Sequence, residues 1–182
     1  MTYRIRCADE EDVPAMAAVE MAAAQRYSDS DVPPLRKMQT LDLTELGVSL
    51  SARTAWVAQT SDNHIVGFVA AVLLDGMLFV LELDVLPAHQ GSGVGTALLD
   101  TVAAEAWRRG CVGVTLTTFS HVPWNGPFYE RRGFRVVPDS FLPHLESRLS
   151  IERASGLQNR QAMLRRRANH VAEQTHAASR DR

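Results

Sequence analysis

The chain has 182 residues, of which 46% are hydrophobic and 22% charged; these are the proportions of one globular domain with a buried core, and they exclude fibrous, collagen-like and wholly disordered chains. No run approaches the roughly 18 apolar residues of a membrane span, and the charged start MTYRIRCADEED lacks the apolar stretch of a signal peptide, so the sequence predicts a cytoplasmic protein without membrane contact. The net charge of −2 is unevenly spread, with six basic and fifteen acidic residues in 1–107 against thirteen and six in 108–182, a division that suits an anionic ligand on one face and a cation on another.

Tyr3 to Arg6 alternates as a short strand, and Asp9-Glu10-Glu11-Asp12 supplies an N-cap and first-turn carboxylates for a helix over Val13 to Gln25. Val13, Met16, Ala17, Ala23 and Ala24 follow helical spacing, and Glu20 falls on the same stripe. That glutamate is either a boundary residue reaching water or a substrate contact at the edge of a pocket. Cys7 and Cys111 lack the neighbours of a metal knuckle or a redox pair and read as reduced structural thiols; no metal site is expected. Ser28 to Pro34 is turn-rich, and Leu35 to Leu46 carries a weak helical spacing that Gly47 would end. Ala55 to Ala58, Ile65 to Leu74 and Met77 to Leu86 then read as three antiparallel strands, joined by a loop at Ser61 to His64 and a tight turn at Asp75-Gly76, with Pro87 stopping the third.

The segment Ala88-His89-Gln90-Gly91-Ser92-Gly93-Val94-Gly95 leads into a helix with Val94, Ala97, Leu98, Thr101 and Val102 on one face and Gly110 past its end. A strand over Cys111 to Thr118 follows, so this helix crosses between parallel neighbours. A short helix around Phe128 to Arg132, a strand at Phe134 to Val137, a helix over Leu142 to Ser155 and a last strand at Gln161 to Arg166 complete a domain spanning residues 1–167. Residues 168–182 are polar and are expected to form a flexible tail. No internal repeat of solenoid or propeller period is present.

Glycines at 91, 93 and 95, between a strand and a helix, let the backbone approach a ligand and leave amides at the positive end of a helix, which suits a phosphate. A dinucleotide fingerprint fails in both registers, since the required glycine or alanine falls on Thr96 or Leu98, and a P-loop fails because the chain's only lysine is Lys37. No nucleophile elbow is present, and Cys111 merely opens a strand.

What remains, Gln90-x-x-Gly93-x-Gly95 after Leu83-Asp84-Val85-Leu86-Pro87, with Phe128-Tyr129-Glu130-Arg131-Arg132-Gly133-Phe134 downstream, resembles the GNAT superfamily of N-acetyltransferases. The resemblance runs from Tyr3 to about Arg166 and implies an α/β fold with a mixed, mostly antiparallel central sheet flanked by helices, two parallel strands splaying at the cofactor cleft. It implies acetyl-coenzyme A as co-substrate. By position, Gln90, Gly91, Ser92, Gly93, Val94, Gly95 and Thr96 match the pyrophosphate loop, with help from Arg131 or Arg132. Leu83, Asp84 and Val85 match the strand that pairs with the pantetheine arm. Tyr129 matches the tyrosine that protonates the departing thiolate, a role suited to a phenol. Glu82, on one strand face with Asp84, is the preferred general base. Glu20, Glu82, Trp124 and His121 are candidate acceptor contacts. Asn125 is a candidate cofactor contact, although it stands three residues from the position where many members carry an asparagine; the P-W-N-x-P-F-Y segment marks a subgroup.

The implied reaction is direct attack of an amine on the acetyl carbonyl, the acceptor being a small amine, an amino acid, an antibiotic or a protein amine. A non-catalytic coenzyme A or acyl-coenzyme A sensor is the alternative. The Arg165-Arg166-Arg167 cluster is too short, and too poor in aromatics, to predict a nucleic-acid partner. Homodimerisation, common among relatives, is left open.

Overall fold

The structure is a computed structural model and describes residues 3–25 and 42–167. In chain order the elements are β1 (Arg4–Cys7), α1 (Val13–Ala24), α2 (Leu43–Ser51), β2 (Ala55–Gln59), β3 (Ile65–Leu74), β4 (Met77–Val85), α3 (Val94–Arg108), β5 (Gly113–Phe119), α4 (Asn125–Glu130), β6 (Arg135–Val137), α5 (Pro143–Ala154) and β7 (Arg160–Arg166). The strands form one seven-stranded sheet in the order β1-β2-β3-β4-β5-β7-β6. Only β4 and β5 run parallel, joined by the α3 crossover; every other neighbouring pair is antiparallel.

Alternation along the strands sorts the core onto two faces. Trp56, Ala58, Val69, Ala71, Leu78, Val80 and Val114 meet Val94, Leu98, Leu99 and Val102 of α3. On the other face Ala55, Val57, Phe68 and Ala70 pack under Met16 and Val19 of α1 and Leu46 of α2, while Val72, Phe79 and Ala162 pack under Leu145 and Leu149 of α5. α1 begins where the sequence places it, because Asp9 and Asp12 form a reciprocal capping box and Arg6 of β1 clamps Asp12 through two bonds of 2.6 and 2.7 Å.

Two elements depart from expectation. α2 covers Leu43–Ser51, so Gly47 lies inside it and does not end it. The Asp42 carboxylate sets its start, accepting from the Thr44 amide at 2.7 Å, and burial of Leu46 and Ser49 outweighs the modest cost of an interior glycine. The predicted turn at Ser28 to Pro34, the first part of the Leu35 helix and the tail at 168–182 lie outside the described residues. α4 starts at Asn125, three residues before the expected Phe128, because Pro127 occupies a first-turn position whose N–H has no intrahelical acceptor.

A β-bulge in β4 decides which way its acidic side chains point. Opposite β3, Ala71 pairs with Val80 and Ala70 with Glu82, so Leu81 is the extra residue. Strict alternation from Leu78 and Val80 would turn Glu82 and Asp84 into the α3 core. The bulge reverses the phase: Leu83 and Val85 pack on the α3 face, and Glu82 and Asp84 turn toward α1.

Candidate active site

β4 and β5 are paired only at Leu78 with Val114 and Phe79 with Thr115. Beyond these pairs the strands diverge, β5 staying with β7 as far as Phe119 opposite Arg160, so the β5-facing edge of Leu83 to Val85 has no strand partner. A cleft of about 250 Å³ opens there, lined by Leu83, Asp84, Val85, Gln90, Gly91, Gly95, Trp124, Asn125, Tyr129, Ala23, Phe128 and Arg131. The first nine of these are sequence-predicted site residues, and Arg131 is one of the two arginines expected to help the pyrophosphate loop. Ala23 and Phe128 are additional; Phe128 adjoins Tyr129 in the same motif, whereas nothing local places Ala23 of α1 at this edge.

The glycine loop is shaped by backbone conformation. Gly91 and Gly93 sit at φ +74° and +92°, the left-handed region that glycine enters without strain, and Gly93 is the N-cap of α3. Gly95 answers a different demand: a Cβ there would lie 3.3 Å from Cζ of Phe128. Gln90 donates to the Val85 carbonyl at 2.9 Å, folding the loop back onto the end of β4, and Ser92 Oγ donates to the His89 carbonyl. Gly91 of the loop and Gly95 of the first turn of α3 thereby line the same cleft that the unpaired β4 edge borders, an arrangement that fits a diphosphate with an extended amide-bearing arm.

Glu20 of α1 and Glu82 and Asp84 of β4 bring carboxylate oxygens within 4.8 Å of one another; Asp84 lines the cleft, whereas Glu20 and Glu82 are not among its lining residues. Burial, then the charge of Glu20, pushes the Glu82 carboxyl up to about 7, with Arg160 pulling in the opposite direction. Asp84 is raised well above the usual carboxylate range by burial and by both neighbours. Arg160 is held by Glu152 at 3.0 Å and by the Thr117 hydroxyl at 2.9 Å, over the Phe119 ring.

Tyr129 stands on α4 in the cleft wall, packed edge-on against Phe134 and Phe128 with ring centroids 5.7 and 5.0 Å apart. Trp124 and Asn125 begin that wall. Ser92, Gly93, Val94 and Thr96 belong to the loop and first turn of α3 without lining the cleft; Val94 is instead buried in the core. His121 is exposed, edge-on to Phe119, and is not among the lining residues.

Residues 51–136 match the family model described as Acetyltransferase (GNAT) domain. Among solved structures, the chain is similar to PaiA N-acetyltransferase from Thermoplasma acidophilum in complex with coenzyme A, at TM-score 0.71 and 17% identity over 92% of this chain and 100% of that one. It is similar to N-acetylglutamate synthase from Neisseria gonorrhoeae complexed with coenzyme A and N-acetyl-glutamate, at TM-score 0.69 and 21% identity over 91% of this chain. It spans 35% of that synthase's length. A third, the ribosomal-protein-S18-alanine N-acetyltransferase from Escherichia coli, aligns at TM-score 0.65 and 16% identity over 91% and 94% of the two chains.

Proposed function

We propose that this chain, whose residues 51–136 match a GNAT acetyltransferase domain, takes its acetyl group from acetyl-coenzyme A and transfers it to a cationic amine received beside Glu20, Glu82 and Asp84. Glu82 is its general base and Tyr129 the acid for the leaving thiolate. The observation that carries this reading is the convergence of three carboxylates, one of which, Asp84, lines the same cleft as Tyr129. Three carboxyls so close cannot all ionise at neutral pH, and an ammonium group entering among them relieves the repulsion.

The co-substrate supplies an activated acetyl thioester; the chain holds it and moves the protons. The amides from Gly91 through Thr96 and the N-terminus of α3 take the diphosphate, and the free edge of Leu83 to Val85 takes the amide-bearing arm. An ammonium acceptor must lose two protons. One passes to Glu82, whose carboxyl near 7 is suited to accept it at neutral pH, and then to solvent. The other passes from nitrogen to solvent as the N–C bond forms; as the C–S bond breaks, Tyr129 gives its phenolic proton to sulfur and regains one from solvent, so that one proton is released overall.

Calorimetric titration with acetyl-coenzyme A and coenzyme A beside NADH and ATP tests the co-substrate, and an amine panel followed by thiol release tests the acceptor. Selective binding of the two coenzyme A species is expected, with cationic amines turned over faster than anionic or zwitterionic ones. Glu82→Gln should lower kcat/KM at pH 7 about 10²-fold, the usual worth of a general base, and Tyr129→Phe should lower kcat by a comparable factor. Equal rates across the panel would remove the acceptor assignment, and unchanged turnover by Tyr129→Phe would remove the acid.

A further inference from the structure

Just past α4 stands an arginine that joins the first turn of α3 to α4. Arg132 Nε donates to Thr96 Oγ1 at 2.9 Å, Nη2 donates to the same oxygen, and Nη1 donates to the Phe128 carbonyl at 2.6 Å. Its guanidinium lies 3.7 Å from the centroid of the Phe128 ring. That ring fills the space a Cβ on Gly95 would need and meets Tyr129 edge-on. Thr96 is in the first turn of α3, directly after the glycine loop. One half-buried side chain therefore ties the loop proposed for the diphosphate to the two aromatics of α4.

We infer that Arg132 is a positioning residue that fixes Tyr129 relative to the phosphate loop, so that docking of the diphosphate sets the distance from the phenol to the thioester sulfur. The inference rests on the role of Tyr129 proposed above. A six-residue helix is too short to hold its own orientation, and an error of about 1 Å in such a contact costs orders of magnitude in rate. The bidentate grip on one hydroxyl, with the ring stacked beneath it, restricts the rotation of α4 about the chain as a lone contact cannot. Burial and Arg131 hold the Arg132 pKa below the usual guanidinium value, while Asp100 and Tyr129 act on it in the opposite sense.

The test is a double-mutant cycle on the full chain with Arg132→Met and Thr96→Val, read by kcat, by coenzyme A affinity from calorimetry, and in a Tyr129→Phe background. Each single variant should lower kcat about tenfold, and the double variant should fall no further, because both break one strut. Coenzyme A affinity of Arg132→Met should move by less than about threefold, and Arg132→Lys should recover part of kcat. Added to Tyr129→Phe, Arg132→Met should change kcat by less than about twofold, since a residue acting through the phenol has nothing left to position. Additive single effects, a tenfold loss of coenzyme A affinity in Arg132→Met, or its full effect persisting on Tyr129→Phe overturns the inference. If Tyr129→Phe alone retains wild-type kcat, the acid assignment is what has failed, and the strut falls with it.

Discussion

Glu82 shows how one side chain acquires a property that its residue type does not carry. An exposed glutamate is ionised well below neutrality and is a poor base at pH 7. Here burial and the negative charge of Glu20 raise it to about 7, and Arg160 keeps it from rising further. In the proposed reaction Glu20 therefore tunes the base through its charge. Replacing it with glutamine removes a like charge, so the acidic limb of the kcat/KM profile should move to lower pH. A limb that stays near 7 in Glu20→Gln would show that desolvation alone sets the value.

The helices differ in what secures them. α3 must hold its N-terminus still, and its far end is anchored to α2 through Glu105, which accepts from Arg108 at 2.7 Å and from Arg109 at 2.6 Å while Arg109 also reaches the Ala52 carbonyl. The Arg108 bond, with help from Arg109, pulls the Glu105 carboxyl down to about 2. A carboxyl lowered in the folded state contributes stability above its unfolded value near 4.5 and loses it as pH falls toward 2. Glu105→Gln should thus lower the unfolding free energy by about 1 kcal/mol at pH 7, measured in urea, with the difference closing between about pH 4.5 and 2. α2 has its side-chain cap at Asp42, and α4, only six residues long, depends on Arg132 and on packing of Phe128 and Tyr129 against the core.

For the molecule as a whole, the carboxyl cluster proposed to receive the acceptor costs stability. Glu82 and Asp84 are raised, so between about pH 4.5 and 7 the folded state binds more protons than the unfolded chain, and stability falls as pH rises through that window. Glu82→Gln should accordingly raise the Tm at pH 8 by about 2–4 °C, the response of a chain this size to about 1 kcal/mol, and leave it nearly unchanged at pH 5. A scan at the two pH values checks this, and an equal shift at both would mean that the cluster is not the origin. Among the described residues no helix is long and apolar enough to cross a membrane.

Much of this was legible in the chain itself, wherever the signal was local. Strand-period alternation bounded by Asp75-Gly76 and Pro87 located β3 and β4, and glycines before an amphipathic run located the loop and α3, because turns, caps and periodicity depend only on neighbours in sequence. The tyrosine motif, at fixed spacing from that loop, led to the co-substrate. Other features come from elements distant in sequence packing together. The extra residue at Leu81 is an outcome of pairing with β3, and it alone turns Glu82 and Asp84 from the α3 core toward Glu20. His121 lies outside the cleft, exposed and edge-on to Phe119 at the end of β5, while Trp124 of the same loop lines it. Arg132 reaches Thr96 across 36 residues. Long-range register and burial also give the carboxylates their charge state, since the energy of an ionised group depends on what surrounds it and not on its place in the chain.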